Sequence, residues 1–489
     1  MRLAAALMIV GWASSLAFAE SRPRYGGEIQ GALLGAPGTL DPIASQSHAE
    51  VTAIAAVFDT LYQLDAGGRP NPHVAAGIPV LDAGSVRIAI RRGIRFHDGS
   101  ELTPADVAAS LERVRTTSKT HWMLAAVTAI RYDAGSVELV TSAPIAELSV
   151  LLAMPATAIT KEGKPPGARP VGSGPFAVAR NDAAGGALTL KAFDDHFAGR
   201  PYLDQVVLRW YDTRDAEARQ FQTGKAQLSA RGPAVLMDLK PKYRSQYLQG
   251  PASVLVFVGF GRAHGSVTSD PAFRRALDLA IARSAVSGVN AGGERVIATR
   301  LPLPVEAGGT ALSASAREAD LSGARSALAR MSDRARLAST KLELLIEDSR
   351  PDDREIAQRV ALALTKLGVA SVITAVPAAS YRERVQAGRC DLWIGQLAAP
   401  LATPVAWWGA AFAAGGDRWL DNVLATGGLD GAATATEFAV RLPIVPLMFR
   451  SVRIWYRSDV RGLDFDAIGR PGYADMFLFG DPVRSKGGR

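Results

Sequence analysis

The chain of 489 residues carries a single cysteine, Cys390, so no disulfide can form within it. Flanked by Arg389 and Asp391-Leu392-Trp393, Cys390 reads as a buried small apolar residue rather than a reactive thiol. Histidine is scarce as well. His48, His73, His97, His121, His196 and His264 are the whole set, and no two stand four apart. A metal pair on one helix face is thereby excluded, and neither H-E-x-x-H nor C-x-x-C occurs; a site assembled from distant loops stays open. Ser173 sits between Gly172 and Gly174 but has Val171 and Pro175 outside them, so there is no nucleophile elbow. Gly224-Lys225 is followed by Ala226 and lacks the upstream glycine of a phosphate-binding loop. Basic residues never run to five in a row, which makes nucleic acid a poor partner. Beyond the first nineteen residues, no stretch is long and apolar enough to cross a bilayer.

Those nineteen residues read as a secretory signal. Arg2 opens it, Leu3 to Leu16 is apolar, and Ala17-Phe18-Ala19 offers a small-x-small cleavage site before Glu20. Ser14-Ser15 interrupts the run and makes a membrane anchor the weaker reading. No cysteine follows the site for a lipid. The formal charge of +8 falls to +7 without Arg2, a modest value compatible with a slightly anionic ligand. With 48% apolar and 21% charged residues, the chain is globular and long enough for two or more domains.

Phe96-His97-Asp98-Gly99-Ser100 predicts a strand end and a tight turn. Thr103-Pro104-Ala105-Asp106 then predicts a helix start, with Thr103 as N-cap and Asp106 completing a capping box. Gln205 to Tyr211 reads as a strand, Asp215 to Gly224 as a short helix, and Ser253 to Phe260 as a strand buried on both faces. Ser269-Asp270-Pro271 caps the next helix. Leu342–Glu347, Asp352–Leu367 and Val369–Val376 form a β-α-β unit, with Gly368 stopping the helix. The Ala/Ser/Arg-rich segment 304–340 reads as a loop leading into a surface helix. Gly259-Phe260-Gly261 resembles a dinucleotide fingerprint, but the third glycine, Gly265, is late and no helix opens there. It reads as a glycine-rich connection.

The same phrases, in order, resemble a family: the large extracytoplasmic solute-binding proteins of peptide and nickel ABC transporters. They are Tyr25-Gly26-Gly27, Thr39-Leu40-Asp41-Pro42, Val57-Phe58-Asp59-Thr60-Leu61, Arg92 through Gly99, Pro170 through Phe176, Ala198 through Asp204, and Asp270 through Arg283. The resemblance spans residues 25–480. It implies an α/β, two-lobed periplasmic-binding-protein-like fold of the cluster C type, with mixed sheets flanked by helices and an extra small subdomain in lobe one. The expected division is a signal at 1–19, lobe one from 20–45, 171–252 and 453–489, its accessory subdomain from 46–170, and lobe two from 253–452. Ligand is expected in the cleft between lobes that close by a hinge.

Site residues carried over by the resemblance fall in three segments. The loop after Asp41-Pro42 offers Ser45, Gln46 and His48 to the cleft; it reads equally as a polar loop capping the following helix. The helix 104–125 ends in Lys119-Thr120-His121-Trp122, and Trp122 either faces ligand or belongs to the core. Gly172-Ser173-Gly174 resembles a structural joining loop. The strand through Trp393 brings Leu397 and Pro400 to places where peptide-binding relatives carry an aromatic and an amine-pairing Asp. Losing that carboxylate removes a charge-assisted bond. Trp407 and Trp408 offer stacking surface instead, at most one of them in the cleft if they lie on a strand.

The implied function is the periplasmic solute-binding component of an ABC importer. It takes a neutral or anionic small solute rather than a free peptide, without cofactor or catalysis. It acts as a monomer that docks in its closed form on a membrane permease. The alternative is an exported sensor or scavenging protein without a transport role; a hydrolase fails for want of a nucleophile with its base.

Overall fold

The computed structural model describes residues 23–45, 47–229, 244–262, 266–288, 295–348, 350–398 and 403–479. Three sheets organise the molecule. The first has seven strands, ordered 245–249, 453–457, 228–229, 28–34, 205–211, 187–192 and 176–182. It is mixed: Glu28–Leu34 runs parallel to Gln205–Tyr211, which is antiparallel to Ala187–Ala192. A four-stranded antiparallel sheet, ordered 80–82, 85–89, 136–141 and 127–132, forms a smaller unit beside it. The third sheet has six strands, ordered 296–298, 444–450, 254–260, 392–398, 341–347 and 370–376. This is the two-lobed α/β architecture. The first two sheets build one lobe and the third builds the other.

The second lobe follows the apolar pattern closely. Every residue of Val254–Phe260 is buried, as is every residue of the neighbouring Ile444–Arg450. Val256, Val258 and Phe260 pack into one core, while Leu255 and Phe257 pack into another on the opposite face. A strand buried on both faces reads as a continuous apolar run for this reason. Lys341–Glu347 pairs in parallel with Ala370–Val376 through the helix Pro351–Lys366. Ile356, Val360 and Leu364 form the buried stripe of that helix. Asp270 caps the helix Pro271–Ala280 by accepting from the Ala272 amide at 2.8 Å.

The segment 304–340 is more ordered than its composition predicts. It holds helices Leu321–Leu328 and Arg334–Ser339, with Ala324, Ala327, Leu328 and Leu337 buried in the core. Small alanines supply that face, so no strong apolar stripe shows in the sequence.

In the first lobe, Pro104–Thr116 begins with the expected capping box. The Thr103 amide donates to Asp106 at 2.9 Å, and the Asp106 amide donates to Thr103 Oγ1. The helix ends at Thr116 rather than near 125; a separate 3-10 turn, His121–Leu124, follows. Thr117 turns extended at the stop, and its Oγ1 donates back to the Arg113 carbonyl at 2.7 Å. His97 clamps the joining loop. Its Nδ1 accepts from the Gly172 amide at 3.2 Å, and its Nε2 donates to the Gly174 carbonyl at 2.9 Å. Burial lowers the His97 pKa, which keeps the ring neutral for both roles.

Candidate ligand cleft

Between the lobes lies a cavity of about 130 Å³ that opens to solvent. Its walls are mostly apolar. Trp122 and Met123 come from the 3-10 turn of the first lobe, and Phe257 and Trp393 from the central strands of the second. Phe257 and Trp393 meet edge to face at 5.0 Å. Gly259 stands opposite Trp393 in the strand pair, and a Cβ there would lie 2.1 Å from the indole. Gly259, the first glycine of the stretch that resembles a nucleotide motif, thus makes room for a tryptophan.

The lobes touch at the cavity rim. The helix Pro404–Gly415 lays Gly409 against Trp122, where a Cβ would lie 2.1 Å from the ring. Arg382 of the second lobe is ion-paired to Glu50 of the first. Ser142 donates to the Ala425 carbonyl at 2.8 Å, and His121 Nδ1 lies 3.3 Å from Asp421. The two lobes are thus in direct contact beside the cavity.

Polar groups on the wall are few. Ser45, Lys119, Thr120, Arg262, Gln386 and Gln396 face the cavity. Gln396 is held from behind: its amide donates to Asp353 at 2.8 Å and its carbonyl accepts from Arg450 at 3.1 Å. Burial pushes the Asp353 carboxyl up to about 6, against the opposing charge of Arg350. Lys119 is different. Its Nζ is buried and has no hydrogen-bond partner. Burial lowers its pKa to about 8; Arg382 and Arg262 push the same way, and Glu50 opposes them. No carboxylate is among the described residues that line the cavity.

Of the residues expected in the site, Ser45, Trp122, Trp393 and Leu397 lie together on this wall. Ser47, not Ser45, caps the helix His48–Val57, accepting from the Glu50 amide at 3.2 Å. Loop capping and cleft lining thus fall to neighbouring residues. Trp122 belongs to the core of the first lobe while also bordering the cavity. Trp407 and Trp408 are a correction. They lie on a helix rather than a strand, and both are buried in the second lobe, against Phe449 and Phe438 respectively. Neither borders the cleft cavity. Gln46 and Pro400 lie outside the described residues, as do the side chain of His48 and the proposed signal. Lys119, Arg262 and Gln386 carry no motif, and sequence reasoning passes over them; only the adjacency of Lys119 to Trp122 on one turn hints at a shared site.

A cavity between two lobes, apolar with a few polar groups on its wall, is the geometry of a solute-binding protein. Comparison with known proteins bears on which kind. The pattern of bacterial extracellular solute-binding proteins, family 5 (middle region), matches residues 69–418. The chain belongs to this family. The glutathione-binding protein GsiB of Salmonella choleraesuis is 27% identical over 278 residues, covering 54% of this chain and 54% of that one. The oligopeptide-binding protein AppA of Bacillus subtilis is 26% identical over 292 residues, covering 56% and 53%. The chain thus spans about half the length of the relatives it matches. In structure, the binding protein AgaA from A. tumefaciens R10, in complex with agropinic acid, superposes with a TM-score of 0.75. It is 22% identical, and the match covers 93% of this chain and 99% of AgaA. The dipeptide-binding protein of Pseudoalteromonas sp. SM9913, in complex with Met-Leu, gives 0.76 at 16% identity, covering 92% and 100%. Among the described residues, no helix is long and apolar enough to cross a membrane.

Proposed function

We propose that this protein is the exported solute-capturing component of an ABC importer, and that its solute carries an anionic group seated on Lys119 and Arg262. The signal at 1–19 would be removed after Ala19. The chain would cross between lobes near 253 and 452. Trp122, Trp393 and Leu397 would cover the apolar part of the solute, and Ser45 would bond its polar edge. It binds rather than catalyses, and the closed form is what a permease would recognise.

One observation carries the choice of ligand class: Lys119 lines the cavity, and its buried ammonium has no hydrogen-bond partner. An unpaired buried charge is costly, and a carboxylate or similar anion entering the cleft would relieve it. The free amine of a peptide would instead meet two cations and no facing carboxylate. The names of relatives do not separate the two classes: agropinic acid is an acid, glutathione is a peptide with carboxylates and a free amine, and AppA takes oligopeptides.

The test is native mass spectrometry of the protein purified from its own periplasm, followed by calorimetry with the released compound. An acidic compound whose binding weakens in Lys119→Met supports the reading. A compound without an anionic group, or binding indifferent to Lys119→Met, overturns it.

A further inference from the structure

Away from the cleft, three metal-ligating side chains converge inside the first lobe. Asp59 follows the helix His48–Val57, His73 follows the strand Pro70–Pro72, and His196 lies beyond the strand Ala187–Ala192. All three are buried, and one donor atom from each lies within 4.8 Å of the other two. His73 Nε2 stands 2.8 Å from Asp59 Oδ1, and His196 Nε2 stands 3.6 Å from the same oxygen. Asp59 Oδ2 accepts from Ser173 Oγ at 2.9 Å. None of these residues lines the cleft cavity.

The proton placement on His196 is informative. Its Nδ1 lies 3.2 Å from the Gly199 carbonyl oxygen, which can only accept. Nδ1 therefore carries the hydrogen, and in a neutral ring Nε2 is left as a bare lone pair. That lone pair is buried, makes no hydrogen bond and faces a carboxylate oxygen. Two facing acceptors repel in a buried site, so either a cation lies between them or Nε2 takes a second proton and turns toward Asp59. His73 Nε2 approaches the Asp59 carboxylate and, at 3.1 Å, the Gln63 side-chain amide.

A ligating histidine has the arrangement seen at His196: one nitrogen donates to a backbone carbonyl and the other holds the metal. Donors about 2.0–2.1 Å from a tetrahedral zinc stand about 3.3 Å apart. The 3.6 Å between His196 and Asp59 is near that value, while the 2.8 Å between His73 and Asp59 is a direct hydrogen bond that an entering ion would have to open. Two imidazoles and one carboxylate suit a transition-metal dication rather than calcium or magnesium, which prefer oxygen.

We propose that Asp59, His73 and His196 form a structural binding site for a zinc-class divalent metal ion, which ties the accessory subdomain of the first lobe to its main sheet. The ion would be a resident clasp, separate from any solute in the cleft. The rival occupant is a proton on His196, whose pKa Asp59 raises against the opposing effect of burial.

The test uses the whole mature protein, free of any histidine tag, stripped with chelator and then titrated with Zn²⁺ alone. The expected result is one zinc per chain retained through gel filtration, with a raised melting temperature. Co²⁺ in place of Zn²⁺ should give visible bands of a low-coordinate nitrogen-oxygen site. His196→Gln and His73→Gln should each weaken zinc binding at least tenfold, while Lys119→Met should leave the stoichiometry at one. The cobalt spectrum needs no variant, so a misfolded substitution does not remove the test. Absence of stoichiometric zinc in the unmutated protein makes the occupant a proton and overturns the proposal. So does zinc retained equally by His196→Gln.

Discussion

Arg382, on the helix Ala378–Gln386 of the second lobe, holds the fully buried Glu50 carboxylate of the first. The pair bridges the two lobes, so any opening that moves them apart there would break it. Removing one partner of a buried pair costs roughly 3–5 kcal/mol because the other is left uncompensated. In an open form, water can solvate either charge. Arg382→Met should therefore weaken solute binding about 100-fold or more by disfavouring closure, while the melting temperature of the ligand-free protein changes little. Calorimetry and thermal denaturation on the same samples check this. Equal losses in both would show that the pair holds the fold rather than the closed state.

Closure also depends on the gap that Gly409 leaves for Trp122. A side chain at this position meets the indole face, which is packed in the first-lobe core and cannot easily yield. Gly409→Val should leave each lobe folded but hold them apart. Small-angle scattering with saturating solute should then show no compaction, where the unmutated protein compacts. A variant that compacts normally would mean that Trp122 can move aside.

Much of this architecture was legible in the sequence. The buried strand Val254–Phe260, the β-α-β unit from Lys341 to Val376 and the Thr103 cap each follow from local pattern, and the ordered family phrases supplied the two lobes. The site was legible only in part. Trp122, Trp393 and Leu397 came from position within family phrases, and all three lie on the cavity wall. Trp407 and Trp408 misled because a helix entered at Pro404 turns both indoles into the core, where their apolar area is best satisfied. Lys119 left only its nearness to Trp122 in sequence, and the Asp59–His73–His196 cluster left no signal. Their meaning lies in what does not pair with them, or in segments joined only by the fold.

Arg283 is fully buried in the second lobe. It donates to the Asp278 carboxylate and, at 3.0 Å, to the Pro446 carbonyl. It thereby ties the end of the helix Pro271–Ala280 to the central strand Ile444–Arg450. Arg283→Met would strand the Asp278 carboxylate, leaving it only the more exposed Arg275 and Arg300. A destabilisation of roughly 3–5 kcal/mol is expected, read by urea denaturation. Solute affinity of the folded fraction should be unchanged, since Arg283 does not line the cleft.

Lys119 gives the pH dependence of binding. Burial and the neighbouring arginines lower its pKa from 10.5 to about 8 in the ligand-free protein. The folded state thus binds fewer protons than the unfolded state between about pH 8 and pH 10.5, and stability from this group rises with pH across that window. An anionic solute reverses the sign for binding. It favours the ammonium, so the complex takes up a proton and affinity falls as pH rises above about 8. Calorimetry between pH 6.5 and 9.5 should show a flat affinity at the acid end, then a decline toward tenfold per pH unit on the basic side. Lys119→Met should abolish the decline and weaken binding at pH 7 by roughly 10- to 100-fold, the value of one charge-assisted hydrogen bond. The same substitution removes an unpaired buried charge, so the ligand-free variant should melt at a higher temperature than the unmutated protein. A variant that binds more weakly and melts lower would place Lys119 in the fold rather than in the solute site.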